Sequence, residues 1–259
     1  MPNRTPEPTP KPTSRPTSRP TPSTAMVFAA GLGQRMRPIT DAIPKPLVKV
    51  GGRTLLDHCL DRLAEAGVGT AIVNVHWLAD QIEAHLTSRV APRIVISDER
   101  AKLLDQGGGI KKALPLIGDA PFFICNTDAL WIEGPRSELD RLIRFFDPAK
   151  MDALLLVAQA AGAVGVDGPG DFTMDPFNRL TKREQRHVAP FVYAGVGIIK
   201  PQLFEGIAED VFRLAPFFFR AAEQGRLYGV RLDGAWLHVG RPESIPEAER
   251  AIDRSPLVL

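Results

Sequence analysis

The sequence predicts an α/β fold built on a parallel, doubly wound sheet, and three observations carry that prediction. From residue 25 onward, short apolar runs of strand length alternate with segments of helical period. The first run, Met26-Val27-Phe28-Ala29-Ala30, stops at two glycines set two apart, Gly31 and Gly33. The fourth, over residues 122–126, ends in Asn126-Thr127-Asp128. Open α/β sheets bind ligands beyond the C-terminal ends of their strands, and both the glycine loop and this polar triplet fall there.

Taken in order, strand one covers 25–30, and 46–50 reads as a short extended piece turned by Gly51-Gly52. Residues 54–66 carry Leu55, Leu56, Cys59, Leu60 and Leu63 at helical spacing, and Gly67 is the stop. Strand 70–75, helix 79–86, strand 93–97, helix 109–116 and strand 122–126 follow, the connections expected of parallel strands. Next come helix 137–146, strand 153–158, a Gly-rich stretch over 162–170, and a hairpin of 171–174 with 179–182. Strand 193–199, a turn at 201–204, helix 215–224, strands 228–232 and 236–239, and helix 243–252 complete the chain. Residues 202–214 lack a period that would assign them.

At 259 residues the chain suits one large domain or two small ones. Residues 1–24 hold eight of its 24 prolines, with Thr and Ser in most gaps, and read as a disordered, partly polyproline-II tail. That tail carries four basic residues against Glu7, whereas the body from 25 to 259 is nearly neutral. A near-neutral body without a basic tract argues against nucleic acid as a partner. No apolar run reaches the ~20 residues of a membrane span, and the N-terminus has no signal-peptide core. Cys59 and Cys125 lack metal-ligand spacing and sit in apolar runs, as buried free thiols of a cytoplasmic protein do.

The glycine loop is the strongest chemical signal. Glycines turn sharply and leave backbone N–H groups uncovered, so an anion approaches Ala30, Gly31, Gly33 and Gln34 closely. Arg35 and Arg37 follow, and ten residues after Arg35 stands Lys45 between two prolines. Their charge is what a polyphosphate needs. Asp128, at the end of an apolar strand, is placed either to hold Mg²⁺ against nucleotide phosphates or merely to cap a turn. The run Gly107-Gly108-Gly109 opens a helix, either pressing its backbone against a base or serving as a flexible lead-in. No Gly-x-Ser-x-Gly elbow or HExxH motif occurs. His76, Trp77 and Trp131 read as packing residues, and His58, His85 and His187 have no partner identifiable from sequence.

Gly31-Leu32-Gly33-Gln34-Arg35-Met36-Arg37-Pro38-Ile39-Thr40, followed by Pro44-Lys45-Pro46-Leu47, resembles the signature of the sugar-1-phosphate nucleotidylyltransferases. That pattern is Gly-x-Gly-x-Arg-Met/Leu-x-Pro-x-Thr, then Pro-Lys-Pro-Leu. The resemblance implies a nucleotide-diphospho-sugar transferase fold, Rossmann-like with a mixed sheet. A nucleotide-binding half over 25–150 and a sugar-binding half over 151–259 then form a single domain. It implies catalytic roles for Arg35 and Lys45 on an NTP and a sugar 1-phosphate, with Mg²⁺ as cofactor and Mn²⁺ as the alternative. Asn126-Thr127-Asp128 resembles the family's Asn-Gly-Asp, whose Asp binds metal and whose Asn touches the sugar; Thr127 departs from it. Residues 103–110 resemble the family's Leu-x-Thr-Gly-Gly-Gly-Ile base loop, with Gln106 in the Thr place and Gly107 and Gly108 reading base edges. Gly170-Asp171-Phe172 is similar to a sugar-contacting Arg-Gly-Asp-Phe element.

Trp236-Leu237-His238-Val239-Gly240-Arg241-Pro242-Glu243 resembles the family's Trp-x-Asp-Val-Gly-Thr-Pro-Glu, whose Asp is the second metal ligand. His238 in that slot leaves three readings. It ligates a softer metal, contacts metal-bound water, or leaves the ion to Asp128 and phosphates. Within the family the chain is most similar to the N-acetylmuramate-1-phosphate uridylyltransferases of cell-wall recycling. Mannose-1-phosphate guanylyltransferase is the next reading, and a catalytically silent sugar-nucleotide sensor is the reading from another class.

Overall fold

The computed structural model describes residues 21–162 and 168–255. Most of the tail and the middle of the Gly-rich stretch lie outside the described residues. Ser23 already belongs to the body, because its carbonyl accepts the Gly69 and Thr70 N–H groups ahead of the second long strand.

The elements run β1 (Thr24–Phe28), α1 (Ile39–Ala42), β2 (Lys49–Val50), β3 (Arg53–Thr54), α2 (Leu55–Glu65), β4 (Thr70–Val75), α3 (Ala79–Leu86), β5 (Arg93–Asp98), α4 (Asp105–Ile117) and β6 (Phe122–Asn126). They continue with β7 (Ala129–Ile132), α5 (Glu138–Phe145), β8 (Ala153–Gln159), β9 (Phe172–Met174), β10 (Leu180–Lys182), β11 (Phe191–Ile199), α6 (Ala215–Glu223), β12 (Leu227–Arg231), β13 (Ala235–His238) and α7 (Ser244–Arg254). The main sheet is ordered β12-β8-β11-β6-β1-β4-β5, with β9 and β10 attached beside β11. β6, β1, β4 and β5 are parallel, as the alternating pattern predicts. β11 runs antiparallel to both β6 and β8, so the sheet is mixed.

Strand periodicity explains why helices cover both faces. Along β1, Ala25 and Val27 point to one side and Met26 to the other, and all three are fully buried. The first side packs Leu56, Leu60 and Leu63 of α2, Ile82 of α3, and Leu139 and Leu142 of α5. The second packs Ile110 and Ala113 of α4 and Phe217, Phe218 and Ala221 of α6. A sheet buried on both faces reads as near-continuous apolar strands, which is what the sequence contains. α2 starts where Thr54 accepts the Asp57 N–H at 3.0 Å, an N-cap worth about 1 kcal/mol.

Two expected elements differ in the structure, and one unassigned stretch proves to be a strand. The piece over 46–50 is not one strand: Lys45–Leu47 forms a 3₁₀ turn, and β2 then pairs with β3 around the left-handed Gly51 and Gly52. Residues 129–132, left unassigned by the sequence, form β7, which pairs antiparallel with β13 in a separate ribbon. α4 begins at Asp105 rather than at 109, so the three glycines are buried inside its first turns. Their N–H groups are also not all open: those of Gly107 and Gly108 are donated to the Phe212 carbonyl, at 3.0 and 3.2 Å. A Cβ on Gly107 would meet the Phe212 ring, and one on Gly108 the Asp210 carbonyl oxygen. The segment of residues 206–213 therefore lies against the helix where a side chain would otherwise stand, and Lys111 Nζ clamps it through the Ala208 and Glu209 carbonyls, both at 2.9 Å. Overpacking of this kind against backbone costs about 1–3 kcal/mol. Gly108→Ala is accordingly expected to lower the thermal midpoint by several degrees, read by calorimetry or circular dichroism. An unchanged midpoint would show that the glycine is not needed for this packing.

Candidate active site

β1 and β6 are neighbours in register, Phe28 opposite Asn126, so their exits open into the same space. After Phe28 the chain passes Ala29 and Ala30 and turns at Gly33, whose φ of 63° is left-handed. A Cβ there would lie 2.9 Å from Thr40 Cγ2, and the Thr40 hydroxyl donates to the Gly33 carbonyl at 2.8 Å. The turn of Gln34–Met36 follows, with Met36 fully buried beneath it. At the exit of β6, the Thr127 hydroxyl donates to the Phe28 carbonyl at 3.1 Å and ties the two strand ends together. That bond gives Thr127 a structural task where a glycine would have none.

A cleft of about 830 Å³ lies over these strand ends. Ala30, Gly31, Gly33, Gln34, Arg35, Lys45, Asn126, Asp128 and His238 all line it. Lys45 reaches across from its 3₁₀ turn, and its Nζ donates to Asp128 Oδ2 at 2.6 Å. Burial pushes the Asp128 carboxyl pKa up, but the charges of Lys45, His238 and Arg35 outweigh it, so the pKa lies below the ordinary range. Asp128 is therefore ionised in the cleft wall. His238 is brought beside it by the ribbon, in which His238 pairs with Ala129 and the Val239 N–H meets the Asp128 carbonyl at 3.3 Å. Burial lowers the pKa of His238 below the usual imidazole value, Asp128 opposes that, and Lys45 and Arg35 add to it. Its ring also lies 5.5 Å from that of Trp236.

The donor set suits a divalent cation that finds most of its ligands elsewhere. It consists of one ionised carboxylate with an imidazole beside it, and no group of three or more His, Cys, Asp or Glu able to hold an ion occurs among the described residues. Mg²⁺ and Mn²⁺ bound with phosphates need few protein ligands.

The remaining predicted residues divide. Asn126 is half-buried, and its Oδ1 accepts from Gln106 Nε2 at 2.9 Å, joining the first turn of α4 to β6. Gln106 and Asp105 line the cleft, whereas Gly107 and Gly108 do not. With their amides held by Phe212, those two glycines shape the wall from behind rather than presenting N–H groups to a ligand. Asp171 lines an adjoining hollow of about 300 Å³, together with Arg35, Tyr193, Trp236, His238 and Arg241. Asp171 Oδ2 already accepts the Tyr193 N–H at 2.9 Å, which fixes the carboxylate at the hollow's rim.

Sequence reasoning passed over several lining residues. Tyr193 borders both the cleft and the hollow, and its hydroxyl is buried with no partner among the described residues, as is Trp236 Nε1. Trp236 opens the motif that carries His238, but Tyr193 belongs to no motif, and the register of β11 is broken by a bulge between Tyr193 and Gly197. Gly195, with φ 85°, lets that bulge approach; a Cβ would lie 2.6 Å from Ala129 Cβ. Asn74 and Glu99 also line the cleft and carried no motif. The histidines without identifiable partners have local ones: His58 bonds the Val50 carbonyl at 2.9 Å, His85 reaches Asp57 at 3.0 Å, and His187 reaches Glu184 at 3.0 Å. Cys59 and Cys125 are buried free thiols whose sulfurs approach to 2.7 Å. Among the described residues no helix is long and apolar enough to cross a membrane.

Residues 25–201 match the MobA-like NTP transferase domain. The chain is 45% identical over 232 residues to an N-acetylmuramate alpha-1-phosphate uridylyltransferase of Caulobacter vibrioides, covering 88% of this chain and 96% of that protein. It is 36% identical over 233 residues to the Neisseria meningitidis protein of the same description, covering 87% and 96%. Among solved structures, a UDP-glucose pyrophosphorylase complexed with UDP-glucose superposes with a TM-score of 0.74 at 16% identity, covering 89% of this chain and 98% of that one. The chain belongs to the MobA-like NTP transferase family.

Proposed function

We propose that the protein joins UTP to N-acetylmuramate 1-phosphate, releasing pyrophosphate and forming the nucleotide sugar. The observation that carries this is the meeting of Arg35, Lys45 and Asp128 in one cleft at the exits of β1 and β6. The choice of substrates is supported by the two uridylyltransferase relatives, which the chain matches over most of its length. In this reading the half over 25–150 holds the nucleotide and the half from 151 holds the sugar, against the hollow bordered by Asp171 and Tyr193. The product places the protein in cell-wall sugar recycling, and its triphosphate substrate places it in the cytoplasm.

The reaction is a direct displacement. An oxygen of the sugar phosphate attacks the α-phosphorus in line, the bond to the β-phosphate oxygen breaks, and pyrophosphate leaves with that electron pair. Phosphoryl-type transfer needs positioning and charge neutralisation rather than a covalent nucleophile. Ala30, Gly31, Gly33 and Gln34 present backbone to the phosphates, and Arg35 neutralises the charge that grows on the leaving group. Lys45 stands between the α-phosphate and the attacking sugar phosphate and lowers the repulsion between them. Asp128, with His238 beside it, would hold Mg²⁺ or Mn²⁺, which when bound supplies Lewis-acid neutralisation of phosphate charge. Asn126 orients the sugar from the end of β6.

Pyrophosphate release should appear with UTP plus N-acetylmuramate 1-phosphate and be much weaker with GTP plus mannose 1-phosphate. Nucleotide binding without release under any combination would leave a non-catalytic sensor instead. Lys45→Ala should lower kcat/KM about 10²–10³-fold, the usual loss on deleting one preorganised charge contact to the transition state. Undiminished turnover would remove Lys45 from the mechanism. Chelation with EDTA should abolish release, and Mg²⁺ or Mn²⁺ should restore it; release that persists in EDTA would rule out the metal role of Asp128.

A further inference from the structure

Glu99 takes no part in the chemistry above, yet it sits at the exit of β5 against the nucleotide end of the cleft, only 1% exposed. Its two carboxylate oxygens are engaged in different directions. Oε1 accepts from Asn74 Nδ2 at 2.8 Å, and Oε2 accepts the Leu104 N–H at 3.3 Å. Asn74, itself buried, uses its other end to accept the Ala29 N–H at 2.8 Å. One continuous chain of hydrogen bonds therefore links the peptide that leads into the phosphate loop with the peptide that leads into Asp105 and Gln106. Those two segments are distant in sequence and form facing walls of one cleft.

Packing alone does not call for this carboxylate. Burying an ionised group costs free energy unless it is paired, and among the described residues no cation forms an ion pair with Glu99. Burial pushes its pKa above the ordinary value, while the bonds from Asn74 and Leu104 pull the other way. The third glycine of the run is explained by the same group. A Cβ on Gly109 would lie 2.8 Å from Glu99 Oε1 and 3.0 Å from Asn74 Nδ2. Only an acceptor with two oxygens receives both donors at once, since a glutamine would turn its amide N–H₂ toward one of them.

We propose that Glu99, acting through Asn74, is a positioning residue for the nucleotide, holding the phosphate loop and the base-side loop at a fixed separation. The inference rests on the nucleotide reading of the cleft and adds a residue pair to it.

The test is calorimetric titration of UTP with Mg²⁺ into the wild type, Glu99→Gln, Gly109→Ala and the double variant. KM for both substrates, kcat and the thermal midpoint are measured beside it. Glu99→Gln is expected to weaken UTP binding about 10-fold, the scale of one hydrogen bond to a charged group. KM for the sugar phosphate and kcat should stay within about twofold. Gly109→Ala disturbs the same group from the helix side and should give the same split, and the double variant should be little worse than the weaker single one. The proposal is overturned if both variants bind UTP within twofold of the wild type. It is equally overturned if both KM values and kcat deteriorate together with the midpoint, since that marks a general structural role. A wild type that binds no UTP brings down the nucleotide reading and this inference with it. A wild type that binds, beside variants that bind equally well, removes the bracket alone.

Discussion

The ion pair between Lys45 and Asp128 is the constraint around which the site is arranged. A carboxylate set into the wall of a cleft loses solvation and tends to take up a proton. Asp128 stays ionised because a cation from a different part of the chain stands 2.6 Å away, with Arg35 adding to the field. The pair is of little value as a source of stability, since desolvation offsets much of the attraction. Its value is in keeping opposite charges ready, at fixed places, in a space that a polyanion can enter.

The sheet makes that arrangement achievable. Asp128 leaves β6, the glycine loop leaves β1, and the two strands are adjacent and parallel, so residues about a hundred positions apart emerge side by side. The ribbon of β7 and β13 brings a third segment to the same point, since its register places His238 opposite Ala129. Its apolar face closes against Met36, Val48 and Leu55, which anchors the loop that carries Arg35 from below. Function here depends on apolar packing that no substrate touches.

How much of this was legible follows from the range of the interactions. The four parallel strands and the helices α2 and α3 were readable because period, length and stop signals are local. The cluster of Gly31, Gly33, Arg35 and Lys45 at the cleft was readable for the same reason, as its members lie within fifteen residues of one another. The start of α4 was not, because its glycines answer to Phe212, Asp210 and Glu99, which approach only in the folded chain. Nor was β7, a run of four apolar residues whose partner lies about a hundred residues on. Asn74 and Glu99 belong to no motif, and nothing in one sequence separates a buried bracket from a solvated side chain.

These long-range features also explain how the site can be assembled before its ligand arrives. An ammonium group has three hydrogens, and Asp128 occupies one of those on Lys45, so the others remain for phosphate oxygens without any need to break the pair. A guanidinium in that position would offer its donors in one plane and would commit them to the carboxylate as a fork. Under the proposed function, lysine therefore suits a place between the Asp128 carboxylate and a phosphate, and arginine, at position 35, suits the outer phosphates of the nucleotide. Neutral hydrogen bonds hold the surroundings, from the Ala29 N–H to Asn74 Oδ1 and from Gln106 Nε2 to Asn126 Oδ1, and they do not compete for the charges of Lys45 and Asp128.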